Sequence, residues 1–329
     1  MLSEFDLIAR YFAKPTPQAV LGPGDDCALL APSPGMELAV TTDMLVAGVH
    51  FFPDTDPQQL GWKSLAVNLS DLAAMGAAPR WALLAGSLPN ADEEWIAAFA
   101  QGFFACAQRY GVDLVGGDTT RGPLNLCITA LGEVPVGQAL RRDGAQTGDD
   151  LWISGHPGLA ALGLAQLQGR AQLPETLAAR CLSALQTPLP RVELGLALRQ
   201  RCLAHAAIDV SDGLLADLGH LLKRSGAAAE LPETQLPPLP PLPFLPQGVA
   251  LSLARTCQLS GGDDYELIFA AAPENRQAVA ELAAELELPL WRFGRVIEGV
   301  AGTLTRLDEN GAALPITHQG YDHFGQTTD

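Results

Sequence analysis

Lysine is scarce in this chain of 329 residues, and the charge balance is strongly negative. The only lysines are Lys14, Lys63 and Lys223, and the formal net charge is −17 at pH 7. A nucleic-acid-binding domain needs a basic surface, and an anionic membrane attracts clusters of Lys and Arg. The composition therefore excludes both kinds of partner.

Long apolar stretches, paired cysteines and an N-terminal leader are also missing. No uncharged apolar stretch reaches the roughly 18 residues that a membrane span needs. The six cysteines form no C-x-x-C pair and lie in apolar runs such as NLCITAL, which indicates buried free thiols. The N-terminal MLSEFDLIARYF contains acids and no basic region. We therefore expect no signal peptide and a cytoplasmic protein in a reducing compartment.

Predicted strands and helices alternate along the chain, which is typical of an α/β or α+β fold. Hydrophobic residues make up 48% of the sequence, enough for the cores of two domains of ordinary size. CALLAP, ELAVTTD and DYELIFAAAP read as strands, and residues 56–77 and 92–111 as helices. Glycines and a charged turn near 137–148 separate two blocks. We predict domains of residues 1–140 and 141–329.

Seven prolines lie within residues 231–246, LPETQLPPLPPLPFLP. Such a segment can bind a partner as polyproline, or it can form a rigid surface loop. No second proline-rich tract supports recruitment of a partner, so the sequence favours the loop.

A P-loop is absent, because the pattern G-x-x-x-x-G-K-[ST] does not occur. Residues 22–30 instead read GPGDDCALL, in which two glycines suggest backbone close to a phosphate and Asp25 and Asp26 stand in place of lysine. Other aspartates recur at strand ends and loop–helix junctions, mostly beside Gly, Ser or Thr. They are Asp43, Asp71, Asp118, Asp209, Asp212, Asp263 and Asp264.

Each of these aspartates alone is explained by a turn or a helix cap. Their number favours a different interpretation if the loops converge. Two like charges 4 Å apart repel by about 1 kcal/mol in water and by about 4 kcal/mol at an effective dielectric of 20. Such a cluster must take up protons or bind cations. Its oxygen donors suit Mg²⁺, whereas no His/Cys cluster has zinc spacing.

The ordered motif set resembles the thiamine-monophosphate kinase family over nearly the whole chain, from about residue 3 to 324. The motifs are GPGDDCA, TTDMLVAGVHF, NLSDLAAMGA, GGDTTRGP, IDVSDGL, SGGDDYEL and GYDHF. The resemblance implies an N-terminal α/β domain that binds ATP and Mg²⁺ and dimerises through its sheet. A C-terminal α/β domain would complete the nucleotide and substrate site, as in aminoimidazole ribonucleotide synthetase.

The same resemblance implies the reaction: direct in-line transfer of the γ-phosphoryl group of ATP to thiamine monophosphate. This is the last step of thiamine diphosphate biosynthesis. The acceptor phosphate has a second pKa of about 6, so it is already a nucleophile near neutral pH. We therefore expect no catalytic general base, only Mg²⁺ ions and positioning groups. The implied protein is a homodimer.

Site roles also follow from the resemblance, motif by motif. Metal ligands would be Asp26, Thr41, Thr42, Asp43, Asp71, Asp118, Asp209 and Asp212. ATP would contact Gly117, Asp118, Arg142 and Ser211. The substrate would contact His50, Asp263 and Tyr321.

Several of these assignments stay open in the sequence. His50 fits the site or a packed core equally well. Arg141 stands beside Arg142, so either guanidinium can reach a phosphate. Asp263 replaces a Glu found in many relatives, and the side chain is one methylene shorter; Asp264 or a bridging water would then compensate.

Two other functions remain as alternatives. One is another ATP-dependent activating enzyme of the same superfamily, such as selenophosphate synthetase or the hydrogenase maturation dehydratase. The chain has no Cys before Cys27 and ends HFGQTTD without a terminal Cys, which disfavours both. The other is a nucleotide-binding regulatory module without an acceptor pocket, which the apparent acceptor residues disfavour.

Overall fold

The computed structural model describes residues 4–239, 251–316 and 320. The chain divides into two compact units, one of residues 1–72 and 77–139 and one of residues 73–76 and 140–329. In chain order the elements are α1 (Glu4–Leu7), a π-helix (Ile8–Phe12), β1 (Met36–Val46), α2 (Pro57–Ala74), β2 (Ala78–Leu88), α3 (Glu93–Tyr110), β3 (Asp113–Arg121), β4 (Asn125–Pro135), β5 (Asp150–Ser154), α4 (Leu159–Leu167), α5 (Glu175–Gln186), α6 (Val192–Gln200), β6 (Ala206–Asp209), α7 (Leu214–Ser225), β7 (Ala228–Pro232), a 3₁₀ turn (Glu233–Gln235), α8 (Leu251–Ser260), β8 (Leu267–Ala271), a 3₁₀ turn (Pro273–Asn275), α9 (Arg276–Glu285), β9 (Leu290–Ile297), β10 (Leu304–Leu307) and β11 (Ala313–Leu314).

The first unit contains a four-stranded sheet in the order β1-β4-β2-β3. β4 pairs antiparallel with both neighbours, and β2 pairs parallel with β3 through the helical crossover α3. Helices α2 and α3 pack together where Gly61 and Gly102 face the other helix's backbone. The core of this unit includes Leu65, Leu69 and Phe103, all fully buried.

The second unit contains a mixed sheet whose described strands follow the order β11-β10-β7-β9-β5-β8-β6. One core cluster packs α7 against this sheet through residues such as Leu218, Leu221, Ile153, Ile208 and Phe293. A smaller cluster joins helices α4, α5 and α8. The α/β (α+β) fold class is therefore confirmed. No helix among the described residues has the length and apolarity that crossing a membrane would take.

The predicted strand CALLAP is wrong. Residues 27–32 form no ladder, and the loop around them contains only isolated bridges such as Leu21 with Leu29. Asp25, Asp26 and Cys27 are exposed, so this stretch has no buried face to pair with a sheet. The predicted strand DYELIFAAAP begins later than expected, at Leu267, because the left-handed backbone of Tyr265 (φ +51°) interrupts the regular ladder before it.

Replacing Gly102 with Ala should destabilise the first unit. A Cβ at this position would lie 1.7 Å from the carbonyl oxygen of Gln58, which is backbone of α2. The two helices must therefore separate, and we expect Gly102→Ala to lower the free energy of unfolding by about 3 kcal/mol in urea titrations.

Gly219→Ala in α7 is the matched control, because its nearest neighbour would be 4.0 Å away. Helix propensity alone should then leave that variant equal to the parent or more stable by up to about 1 kcal/mol. Equal unfolding free energies for Gly102→Ala and the parent would contradict the packing explanation.

Candidate functional site

Strand β1 and helix α2 bring three of the expected metal ligands together. The Thr41 hydroxyl donates a hydrogen bond to the Asp71 carboxylate, and Asp43 lies close enough to feel the charge of Asp71. Burial first, and the Asp71 charge second, raise the pKa of Asp43 to about 6. No hydrogen bond reaches the Asp43 carboxylate from the described part of the chain. We call Asp43 and Asp71 the acid pair.

Asn68 fixes the backbone beside the acid pair, and sequence reasoning missed it. Its side-chain oxygen accepts a hydrogen bond from the Asp43 N–H (3.1 Å), and its amide nitrogen donates to the Ser64 carbonyl (3.2 Å). Asn68 is fully buried. The sequence could have indicated this role, because Asn68 stands three residues before Asp71 in a largely apolar helix. A polar side chain that is buried in such a helix needs hydrogen-bond partners.

Thr42 and Asp118 lie on the other face of the same sheet. Thr42 donates to the Ile128 carbonyl and meets the Thr129 hydroxyl, each at 3.0 Å. Asp118 pairs with Ala85, Ala85 with Cys127, and Cys127 with Met44 across the sheet. Directly paired residues share a face, so Asp118 lies on the face of Met44, which is also the face of Thr42. β1, which carries Thr42, and β3, which carries Asp118, are the two edge strands of this sheet. Three strand spacings of about 4.8 Å therefore separate the two strands by about 14 Å.

Three further predicted residues of the first unit lie in turns or at a tight strand contact. Asp26 is exposed, and its N–H donates to the Asp25 carboxylate (2.9 Å). His50 accepts a hydrogen bond at Nδ1 from the Val46 N–H (3.0 Å), so the ring closes the turn after β1. Gly117 has φ +150°, and a Cβ there would lie 1.8 Å from the Leu84 carbonyl oxygen.

The second unit brings Ser211, Asp212 and Asp263 close together beyond the end of β6. The Asp263 N–H donates to the Ser211 carbonyl (2.9 Å), and the Tyr265 hydroxyl donates to the Asp263 carboxylate (2.9 Å). Asp209 ends β6 and is buried. These residues therefore share one edge of the second sheet.

Asp217 holds this loop in place and was not recognised in the sequence. Its Oδ2 accepts the backbone N–H groups of Ser211 (3.1 Å), Asp212 (3.0 Å) and Gly213 (3.0 Å). Burial and the neighbouring Asp212 charge raise the pKa of Asp217 to about 7, against the three hydrogen bonds that lower it. An acid in the first turn of a helix after a glycine was the only signal.

Asp264 does not replace Asp263. Its carboxylate accepts the N–H groups of Gly158 (2.6 Å) and Ala160 (3.3 Å) at the start of α4. Of the two neighbouring arginines, Arg141 is bound to Asp143 at 2.6–2.9 Å. The Arg142 side chain is exposed, with no salt bridge among the described residues. Tyr321 lies outside the described residues.

The donor set fits Mg²⁺ rather than a metal caged wholly by protein. No group of three His, Cys, Asp or Glu residues within the described ranges is arranged to hold a metal. Mg²⁺ usually binds through one or two carboxylates and completes its shell with waters and substrate phosphates. The acid pair, with a threonine hydroxyl beside it, offers this kind of partial site.

Comparison with known proteins identifies both units. The AIR synthase related protein N-terminal domain matches residues 24–134, and the corresponding C-terminal domain matches residues 146–306. The thiamine-monophosphate kinase of Salmonella typhimurium is 44% identical over 326 residues, covering 98% of both chains.

Solved structures give the same result. The crystal structure of thiamine-monophosphate kinase from Stenotrophomonas maltophilia K279a has 50% sequence identity and a TM-score of 0.81, covering 91% of this chain and 93% of that one. AaThiL complexed with AMPPCP and TMP has 29% identity and a TM-score of 0.77, covering 89% of each chain.

Replacing Asp217 with Ala should destabilise the second unit. Three backbone N–H groups, of which that of Gly213 is buried and the other two are half-buried, would lose their acceptor. We expect the free energy of unfolding to fall by on the order of 3 kcal/mol in urea titrations. Asp217→Asn keeps one oxygen in place and should lose less.

Asp92→Ala provides the comparison for this prediction. Asp92 accepts two N–H groups at the exposed start of α3, so its loss should cost about 1 kcal/mol. If Asp217→Ala proved no more harmful than Asp92→Ala, Asp217 would not be holding the loop.

Proposed function

The chain belongs to the thiamine-monophosphate kinase family, and we infer that it transfers the γ-phosphoryl group of ATP to thiamine monophosphate in a Mg²⁺-dependent reaction. Similarity over the full length to kinases of this one activity carries the conclusion. The binding of AMPPCP, an ATP analogue, and TMP by AaThiL supports the same pair of substrates here.

We propose that Thr41, Asp43 and Asp71 hold Mg²⁺ in the first unit. The raised pKa of Asp43 supports this, because a carboxylate beside a second buried acid is stabilised by a cation. Mg²⁺, when bound, would neutralise charge on the phosphates. The further proposed ligands, from the family motifs, are Asp26, Thr42, Asp118, Asp209 and Asp212.

Gly117, Asp118, Arg142 and Ser211 are proposed to contact ATP. The free guanidinium of Arg142 favours it over Arg141 as the phosphate ligand. The Ser225 hydroxyl donates to the Arg142 carbonyl (2.7 Å), which fixes the backbone and leaves the side chain exposed. Gly117 has a structural reason to be glycine as well, since its close contact with Leu84 leaves no room for a side chain.

His50, Asp263 and Tyr321 are proposed to contact thiamine monophosphate. Tyr265 deepens this proposal, because its hydroxyl orients the Asp263 carboxylate. The Asp263 side chain is one methylene shorter than that of Glu, so a fixed orientation of its carboxylate matters more for substrate contact than the length of the side chain. The acceptor phosphate attacks the γ-phosphorus in line and ADP leaves, so the side chains act by positioning rather than by taking a proton.

We further propose a homodimer formed through the exposed face of the first sheet. Val40 is 61% exposed and Met44 is 53% exposed on this face, with Leu38 and Leu83 beside them. Apolar side chains gathered on one open sheet face indicate a covered interface. Thr42 and Asp118 share the face, so a second copy would also bring further acids and hydroxyls to it.

The domain roles remain a proposal. Residues 1–140 would bind ATP and Mg²⁺ and form the dimer contacts, and residues 141–329 would complete the nucleotide and substrate site. The division of the chain into units near Leu140 supports this proposal. All six cysteines are free thiols, which supports the proposed cytoplasmic location.

The activity test uses the purified chain with ATP, thiamine monophosphate and millimolar Mg²⁺. Thiamine diphosphate and ADP should form in equal amounts, and EDTA should stop the reaction. Asp43→Asn should lower kcat/KM by about 100-fold, because half of the acid pair's charge is removed.

Asp54→Asn, a change in the turn that precedes α2, should leave kcat/KM within about twofold. Absence of thiamine diphosphate with the unmodified chain would overturn the proposed function. Full activity of Asp43→Asn would refute the metal role of the acid pair, but it would leave the proposed kinase function standing.

The dimer is tested by light scattering after gel filtration. The parent chain should elute as a dimer, and Val40→Glu should elute as a monomer because it places a charge in the apolar face. Val300→Glu changes a residue that is 78% exposed in the second unit and should remain dimeric. A monomeric parent chain at all concentrations, or a dimeric Val40→Glu, would rule out this interface.

A further inference from the structure

The second unit contains a cavity of about 460 Å³ that none of the proposed roles uses. Its wall is formed by the start of α4, one side of α5, the chain at 187–191 and the turn at 288–289. Small-molecule sites typically occupy about 300–1,000 Å³. The volume therefore lies within the range of small-molecule sites.

Two carboxylates line the cavity, the buried Glu266 and the half-buried Asp264, and both already have partners. Glu266 accepts hydrogen bonds from Nε (2.6 Å) and Nη2 (2.5 Å) of Arg191 and from the Ser154 hydroxyl (2.5 Å). Asp264 caps α4, and burial raises its pKa well above the usual range. Neither group therefore calls for a cation in the cavity.

His156 is part of this wall. Its Nδ1 is buried and has no hydrogen-bond partner among the described residues. Burial, followed by the nearby Arg180 charge, lowers the pKa of His156, so the ring is neutral near pH 7. A ligand in the cavity would therefore lie beside a neutral imidazole rather than a cation.

Arg180 supplies the uncompensated charge. It is exposed at the cavity wall and forms no salt bridge within the described ranges, whereas Arg191 is neutralised by Glu266. Among the residues that line the cavity, Arg180 is therefore the cation available to a ligand. An anionic group is the partner that a guanidinium binds most strongly.

Apolar side chains complete the lining, with Leu159, Leu189, Leu288 and Pro289 facing the same space. Leu189 is 45% exposed, so part of this apolar surface is open to solvent. A ligand with an apolar part would cover this surface and gain about 25 cal/mol for each Å² buried.

We propose that this cavity binds a small organic anion, with its carboxylate or phosphate on Arg180 and its apolar ring or chain against Leu159, Leu189 and Leu288. The site lies on the opposite side of the 263–266 segment from Asp263. Asp263 and Tyr265 pair with each other, while Asp264 and Glu266 line the cavity. The proposal does not depend on the proposed kinase activity.

Trp291 is a built-in reporter for this site. Its ring lies 6.2 Å from that of His156, and its indole nitrogen donates to the Gly155 carbonyl (2.8 Å). The full chain is labelled with 5-fluorotryptophan, and Trp291→Phe identifies the resonance. Phenyl phosphate and benzoate are then titrated without ATP or Mg²⁺ while fluorine NMR follows that signal.

A saturable shift of the Trp291 resonance with either probe is expected, and inorganic phosphate should produce none. Arg180→Gln should weaken binding by about tenfold or more, since it removes a charged hydrogen bond. Ala184→Phe fills the cavity from α5 and should weaken binding similarly. Arg170→Gln, another exposed arginine but one outside the lining, should stay within about twofold.

The Asp43→Asn variant distinguishes this site from the proposed catalytic site. It should bind the probes with the same affinity as the parent chain. The proposal is overturned by any of three results: no saturable shift at Trp291, the same affinity in Arg180→Gln, or an equal response to inorganic phosphate. Arg180 is exposed, so its replacement tests binding without endangering the fold.

Discussion

Repulsion between carboxylates near buried backbone is the constraint on which the rest of this structure depends. The acidic chain places acids at the ends of its strands, where water is partly excluded and each charge needs an offset. Two offsets are visible: backbone N–H groups serve Asp217 and Asp264, and arginines serve Glu266 and Asp150. These acids shape loops and join elements, and each accepts hydrogen bonds from the protein, although burial still raises the pKa of Asp217 and of Asp264.

The acid pair differs from these four acids in the hydrogen bonds that the protein donates to it. A threonine hydroxyl reaches Asp71, whereas the pKa of Asp43 is raised by burial and by its neighbour, with no compensating hydrogen bond. A carboxylate in that position is stabilised by a proton or a cation. The contrast separates acids that build the fold from acids available for chemistry, and it does so without reference to relatives.

The sequence predicts α3 well, because its hydrophobic period is regular, and it correctly predicts an acid at a strand end at Asp209. The same prediction is wrong for Asp43, because β1 continues past it to Val46. Sequence reasoning fails where the deciding contact is distant along the chain. Asn68 accepts an N–H from another element, and Asp264 caps a helix about a hundred residues away. Thr41 and Thr42 are adjacent, yet β-strand alternation sends them to opposite faces, so motif membership alone cannot place both in one site.

The 263–266 segment shows how one short stretch serves two surfaces. Asp263 and Tyr265 both have positive φ, +68° and +51°, which is uncommon for non-glycine residues and costs free energy that the surroundings must offset. The result is an alternation in which Asp263 and Tyr265 pair beside Ser211, while Asp264 and Glu266 anchor α4 and Arg191. A strand continuing through this segment would also alternate its side chains, but it would commit the backbone to the ladder. Leaving the ladder frees the Asp263 N–H to bind the Ser211 carbonyl, which joins the loop of proposed nucleotide ligands to the proposed substrate residue.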